Sequence, residues 1–148
     1  MERAMTVRHQ VINPQELSPP VGFSHIVIPS PGRTVYFGGM APQLKDGSIH
    51  GGSLVEQFEQ TIGNLSIAMA AAGAKPEDLV SMMLYVKDAQ EYRDSLKELG
   101  KIYQRRLGRN YPAMAMFEVN GFFDAAAKLE ILAICVIPEE AVPDTEHV

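Results

Sequence analysis

Cysteine is almost missing from this chain. Cys135 stands alone among 148 residues, so no internal disulfide framework is possible and a reducing, cytoplasmic setting is the expectation. No apolar run approaches the roughly 18 residues of a membrane span. The opening stretch "MERAMTVRHQ" lacks the apolar centre of a secretory leader. Positive charge is in deficit: 13 Lys and Arg stand against 18 Asp and Glu, a net charge of -5. Phosphate backbones select basic surfaces, so nucleic acid is disfavoured as a general partner. One local exception is Lys97, Lys101, Arg105 and Arg109, spaced by four, which would form a basic stripe on a helix. With Asp94 and Glu98 beside it, the plainer reading is a solvated face. Reaction signatures are absent too. There is no P-loop, no G-x-G-x-x-G, no C-x-x-C and no histidine cluster; His9, His25, His50 and His147 are scattered. No serine has the G-x-S-x-G context, and Cys135, inside an apolar strand, reads as a packed thiol. Neither a metal nor a cofactor is expected.

What is present supports one domain. A hydrophobic content of 46% over this length is enough for a real core. Residues 1–20 are polar and broken by Pro14, Pro19 and Pro20, an irregular arm with room for one edge strand near Thr6–Val11. Residues 21–138 form the domain, and 139–148 are an acidic tail expected to fray. Ser24–Ile28 and Thr34–Phe37 are apolar runs separated by a proline- and glycine-containing turn, which predicts a hairpin. "GGMAPQLKDGSIHGG" is loop, with Asp46-Gly47 as a tight turn. Ser53-Leu-Val-Glu56 is a capping box that opens a helix. Phe58, Ile62, Leu65, Met69 and Ala72 form its buried face, Gln57, Gln60 and Asn64 a polar face, and Gly73 its stop. Leu79–Val86 is a nearly all-apolar, hence central, strand. Asp88 caps a second helix, with Glu91 at the third position, an apolar stripe of Tyr92, Leu96, Leu99, Tyr103 and Leu107, and an end at Gly108. Two strands follow, "YPAMAMFEV" from Tyr111 and Lys128–Ile137.

This order predicts an α+β fold with both helices on one face of a mixed sheet. Two helices cannot cover both faces. The other face is then exposed and apolar, on either the Met114/Met116 or the Ala113/Phe117 side, and implies a partner, most simply further copies of the chain.

Glu130 is the residue most suited to chemistry. It lies between Leu129 and Ile131 in an otherwise apolar strand. A buried carboxylate is costly unless paired, its pKa tends to rise, and it is then suited to holding water and moving a proton. A salt bridge or a single solvated position would explain it equally well. Glu118 poses the same choice, with solvation favoured near its strand end.

At these residues the chain resembles the Rid family (reactive intermediate deaminases, the YjgF or L-PSP family) over roughly residues 20–137. "VGFSHIVI" resembles its G-P-Y-S-x-A-V motif and "FGGMAP" its S-G-Q-I-P turn. Gln57, Gln60, Asn64 and Leu65 match its first helix. "AAGAKPEDLVSMMLYVKD" matches A-G-x-x-x-x-D-I-V-x-x-x-V-(F/Y)-(V/L)-x-D, the most telling piece. "YPAMAMFEV" and "AKLEILAI" resemble P-A-R-x-x-x-E-V and V-K-I-E-I-E-A-I. The resemblance implies a chorismate-mutase-like fold, a homotrimer with sheets packed inward, and small-molecule clefts between subunits. It also implies cofactor-free hydrolysis of enamines and imines to a keto acid and ammonia. An endoribonuclease or translation-inhibitor activity is also attributed to some members.

The departures are specific. Met114 stands where active deaminases have an arginine that clamps the substrate carboxylate through two hydrogen bonds. Phe23 replaces the cleft tyrosine and Gly38 the serine before the turn glycine. The second-helix asparagine has no counterpart, Leu96 or Lys97 lying there. Gly39 is kept, and Glu130 matches the water-holding glutamate if one residue is inserted in "GFFDAAA". The expected site is therefore Glu130 as the catalytic group, with Phe23, Gly39, Met114, Ala115, Met116 and Lys128 around the ligand. Losing the clamp makes ordinary 2-imino acids poor substrates unless Arg33, Lys128 or an arm residue supplies the cation. A non-catalytic ligand-binding trimer is the alternative.

Overall fold

The computed structural model describes residues 8–139. Residues 1–7 of the expected arm and all but the first residue of the expected tail, His147 among them, lie outside the described residues. The elements are β1 (Gln10–Ile12), β2 (Ile26–Ile28), β3 (Gly32–Tyr36), α1 (Leu54–Ala72), β4 (Leu79–Val86), α2 (Ala89–Asp94), α3 (Leu96–Leu107), β5 (Ala113–Glu118) and β6 (Leu129–Pro138). Four strands form a mixed sheet in the order β3-β6-β4-β5. β6 is antiparallel to both neighbours, and β4 and β5 run parallel. A parallel pair needs a crossover, which α2 and α3 provide.

Helix α1 forms as its sequence dictates. The Ser53 hydroxyl accepts the Glu56 N–H, and Gly73 closes the helix in the left-handed region at φ 77°. Phe58, Ile62, Leu65 and Met69 are buried against the sheet, while Ala72 is exposed, beyond the last buried turn. Met82, Leu84 and Val86 of β4 and Leu129, Ile131, Ala133 and Cys135 of β6 meet them.

Two expectations are corrected. The hairpin between Ser24–Ile28 and Thr34–Phe37 does not form: β2 pairs with β1 as a separate ribbon, and β3 pairs with β6. Pro29 and Pro31 in the link lack the N–H groups a ladder needs. The chain enters the main sheet at Gly32, where a Cβ would lie 2.1 Å from the Ile137 carbonyl oxygen. The second helix is broken at Ser95. Asp88 caps α2 through the Gln90 and Glu91 N–H groups, but Ser95, at φ -104° and ψ 4°, interrupts the turn before α3. The interruption moves the buried stripe, so Leu96 is exposed and Ile102 joins Leu99, Tyr103 and Leu107 in the core.

The helices cover one face only. Alternation along the strands puts Met83, Tyr85, Ala113, Ala115, Phe117, Glu130, Leu132 and Ile134 on the other. The open face is thus the Ala113/Phe117 side. Met114 and Met116 pack against the helix-covered core. Tyr36, Phe117 and Leu132 are exposed. Among the described residues no helix is long and apolar enough to cross a membrane.

Candidate functional site

Strand alternation turns Glu130 to the open face, opposite Tyr85 of β4. Tyr85 stacks on Phe117 of β5 with ring centroids 5.8 Å apart. Beyond Tyr36, which pairs with Ile134, the chain takes up one extra residue before Met40 pairs with Ile131. The Met40 and Ile131 N–H groups each donate to the other's carbonyl at 2.8 Å. This bulge at Gly38–Gly39 brings the Gly39 backbone under the Glu130 side chain. A Cβ on Gly39 would lie 2.8 Å from the carboxyl carbon and from Oε2. With any other residue at 39 the Glu130 carboxylate would have to swing away from the place it occupies here. Glu130 is half-buried, not sealed off. Among the described residues its carboxylate accepts no side-chain or backbone hydrogen bond and joins no ion pair.

Two amides of α1 hold the segments on either side of this carboxylate. The Gln60 amide donates to Asn64 Oδ1 at 3.0 Å, which aims Asn64 Nδ2 at the carbonyls of Ala41 (3.0 Å) and Gln43 (2.8 Å), just past the bulge. Gln57 Nε2 donates to the His50 and Ala126 carbonyls at 3.0 Å each, and its Oε1 accepts the Lys128 N–H at 2.8 Å. The residues read as a polar helix face are therefore struts. Gln57 is fully buried. Its position beside Phe58, one turn before the buried Thr61 and two before Leu65, was the available sign.

The remaining expected residues do not all join Glu130. Ala115 shares its face, pairing with Met83. Met114 and Met116 are on the opposite face. Phe23 lies near the β5 edge, its ring edge-on to His25 at 5.2 Å. The neighbouring Ser24 bridges Ala113, and its hydroxyl donates to the Tyr111 carbonyl at 2.6 Å. Neither proposed replacement cation reaches Glu130. Lys128 Nζ is 3.7 Å from Glu91 Oε1, and Arg33 pairs with Ile137, far along β6. Glu118 is not merely solvated: it accepts the Ala89 N–H at 2.9 Å at the start of α2. Burial, with Asp78 adding to it, pushes the Cys135 thiol up to about 12, so it is a packed, unreactive thiol. The basic stripe is partly spent. Arg105 and Arg106 both donate to Glu59, at 2.6 and 3.2 Å. Partial burial opposes the Glu59 charge, but these bonds outweigh it and hold the carboxyl below its ordinary range. Among the described residues no group of His, Cys, Asp and Glu is placed to hold a metal.

Within one chain, then, a free carboxylate on a glycine bulge faces an open apolar surface, while the Met114 side of the site is turned away from it. The family model described as Endoribonuclease L-PSP matches residues 13–137. A RutC family protein from Pyrococcus abyssi is 27% identical over 90 residues, 60% of this chain and 68% of its own. A protein of unknown function from the conserved Rid family of Yersinia pestis superposes with a TM-score of 0.79 at 28% identity, covering 88% of this chain and 100% of that one. RidA from an Antarctic Psychrobacter superposes at 0.62 with 25% identity, covering 86% and 99%.

Proposed function

The chain belongs to the endoribonuclease L-PSP family, which includes the Rid proteins, and on that premise we propose that it is a cofactor-independent hydrolase of a small enamine, imine or related electrophile other than the common 2-imino acids. The observation that carries this reading is the Glu130 carboxylate lying against Gly39 on the open face, unpaired among the described residues. A carboxylate without a protein partner is free to accept a hydrogen bond from water and take its proton as the oxygen bonds to the C=N carbon. The same carboxyl returns that proton to nitrogen, giving a carbinolamine. It then takes the hydroxyl proton and passes it to nitrogen as the C–N bond breaks, releasing ammonia and leaving a carbonyl. Protons and electrons balance with water alone.

Met114 supports the change of substrate. Absence of a two-pronged cationic clamp lowers affinity for a carboxylate-bearing substrate by roughly 2–5 kcal/mol. Because Met114 and Glu130 occupy opposite faces of one sheet, a site using both draws them from different copies, in keeping with a homotrimer whose clefts lie between subunits.

The test is ammonia release from freshly generated 2-aminoacrylate and from imines lacking a carboxylate, with Glu130→Gln as the control. Turnover of carboxylate-free imines, at least about tenfold above 2-aminoacrylate and lost in Glu130→Gln, is expected; equal rates in the variant would remove Glu130 from the mechanism. The exposed apolar Phe117 and Leu132 on the face that carries Glu130 favour one second reading, a non-catalytic trimer that binds a small ligand. Saturable thermal stabilisation without product release would decide for it. Cleavage of RNA is a weaker reading, since Arg105 and Arg106 are engaged by Glu59.

A further inference from the structure

We propose that a cavity under the β1–β2 ribbon is a second ligand site, built for a short aliphatic dicarboxylate. The cavity has a volume of about 240 Å³. It opens where β4 begins, at Leu79, six residues from Tyr85, which pairs with Glu130. At about 3.3 Å per residue that is on the order of 20 Å from the carboxylate. The site does not depend on the reaction proposed for Glu130.

Its lining is of two kinds. Val11, Val27 and Leu79 supply apolar surface, while Arg8 from the segment before β1 and Arg109 from the turn before β5 supply guanidinium groups. Both arginines are exposed, and neither is in an ion pair among the described residues. Among the described residues Glu77 is the only acidic group in the lining, so they give the cavity an excess of positive charge. Guanidinium groups recognise carboxylates by paired hydrogen bonds, and the apolar surface suits the methylene stem between them. A bare inorganic anion would leave that surface unused.

The walls are braced before any ligand arrives. Ser24 donates its hydroxyl to the Tyr111 carbonyl and its N–H to the Pro112 carbonyl at 3.0 Å, which ties the segment before β2 to the turn carrying Arg109. Tyr111 stacks on Tyr103 at 5.3 Å. His9 locks the ribbon: its Nδ1 accepts the Ser30 N–H at 3.0 Å and its Nε2 donates to the Val136 carbonyl at 2.7 Å. Both ring nitrogens are thus engaged, and the imidazole holds the segment leading into β1, next to Arg8. A preformed cleft loses little ordering entropy on binding.

Calorimetric titration of the full chain with glutarate, phosphate and the neutral glutaramide tests the assignment, beside Arg8→Gln, Arg109→Gln and Glu77→Gln. Unliganded melting temperatures of the variants serve as the folding control. Glutarate is expected to bind, and each arginine change to weaken it roughly ten- to hundredfold. Glu77→Gln is expected to tighten it, because a like charge is removed. Absence of glutarate binding, equal binding of glutaramide, or binding of phosphate alone would overturn the proposal. Weaker binding in Glu77→Gln would also overturn it, since the ligand would then carry a cation.

Discussion

Gly39 and Gly38 are adjacent, yet their surroundings assign them different tasks. A methyl group on Gly39 collides with the Glu130 carboxylate, whereas one on Gly38 meets nothing within 4 Å. Gly39→Ala is therefore expected to displace the carboxylate at little cost in stability, less than about 1 kcal/mol, because the group it meets is the free end of a half-buried side chain. It should also slow turnover roughly tenfold, equivalent to about 1.4 kcal/mol in the barrier. Gly38→Ala should change neither. Urea denaturation and ammonia release on the two variants check this, and equal effects would show that the close approach is unimportant. The glycine itself was legible in "FGGMAP", but which atom it makes room for was not. That contact depends on a one-residue bulge against a strand some ninety residues later in the chain.

At the scale of elements, α1 does more than supply core. Its apolar stripe packs on the sheet, and its buried amide spans three chain segments. Gln57→Leu keeps comparable bulk but strips the His50 and Ala126 carbonyls and the Lys128 N–H of their partner. These groups are only partly shielded, Ala126 being exposed, so water replaces part of the lost bonding and a loss of about 1–2 kcal/mol is expected in urea unfolding. Faster amide exchange should appear at residues 122–128 and not at 41–43, which Asn64 holds. A uniform rise across both segments would point to general loosening instead. The helix was readable because a capping box and a 3.6-residue period are local patterns. The break at Ser95 was not, because neither glycine nor proline marks it in the sequence.

For the whole molecule, the open sheet face is the surface on which a trimer is proposed to form. Leu132 and Phe117 lie on it, and they are 40% and 48% exposed. Placing a charge there opposes burial against another copy without touching the helix-side core. Leu132→Glu is expected to convert a trimer to a monomer in light scattering, with the far-ultraviolet circular dichroism unchanged. A wild-type monomer, or a variant trimer of undiminished stability, would mean that this face is not the interface.

The sequence by itself determined the element types, most of the core, the one-sided covering of the sheet and the family pattern, because each is written in local periodicity, caps and motif order. Tertiary structure decided which face stays open, which strand β2 joins, and that Glu130 stands unpaired on Gly39 while Met114 turns the other way. It also diverted Lys128 to Glu91. These outcomes depend on register between strands distant in the chain. A shift of one residue in that register exchanges the two faces of a strand, and no local pattern carries that information.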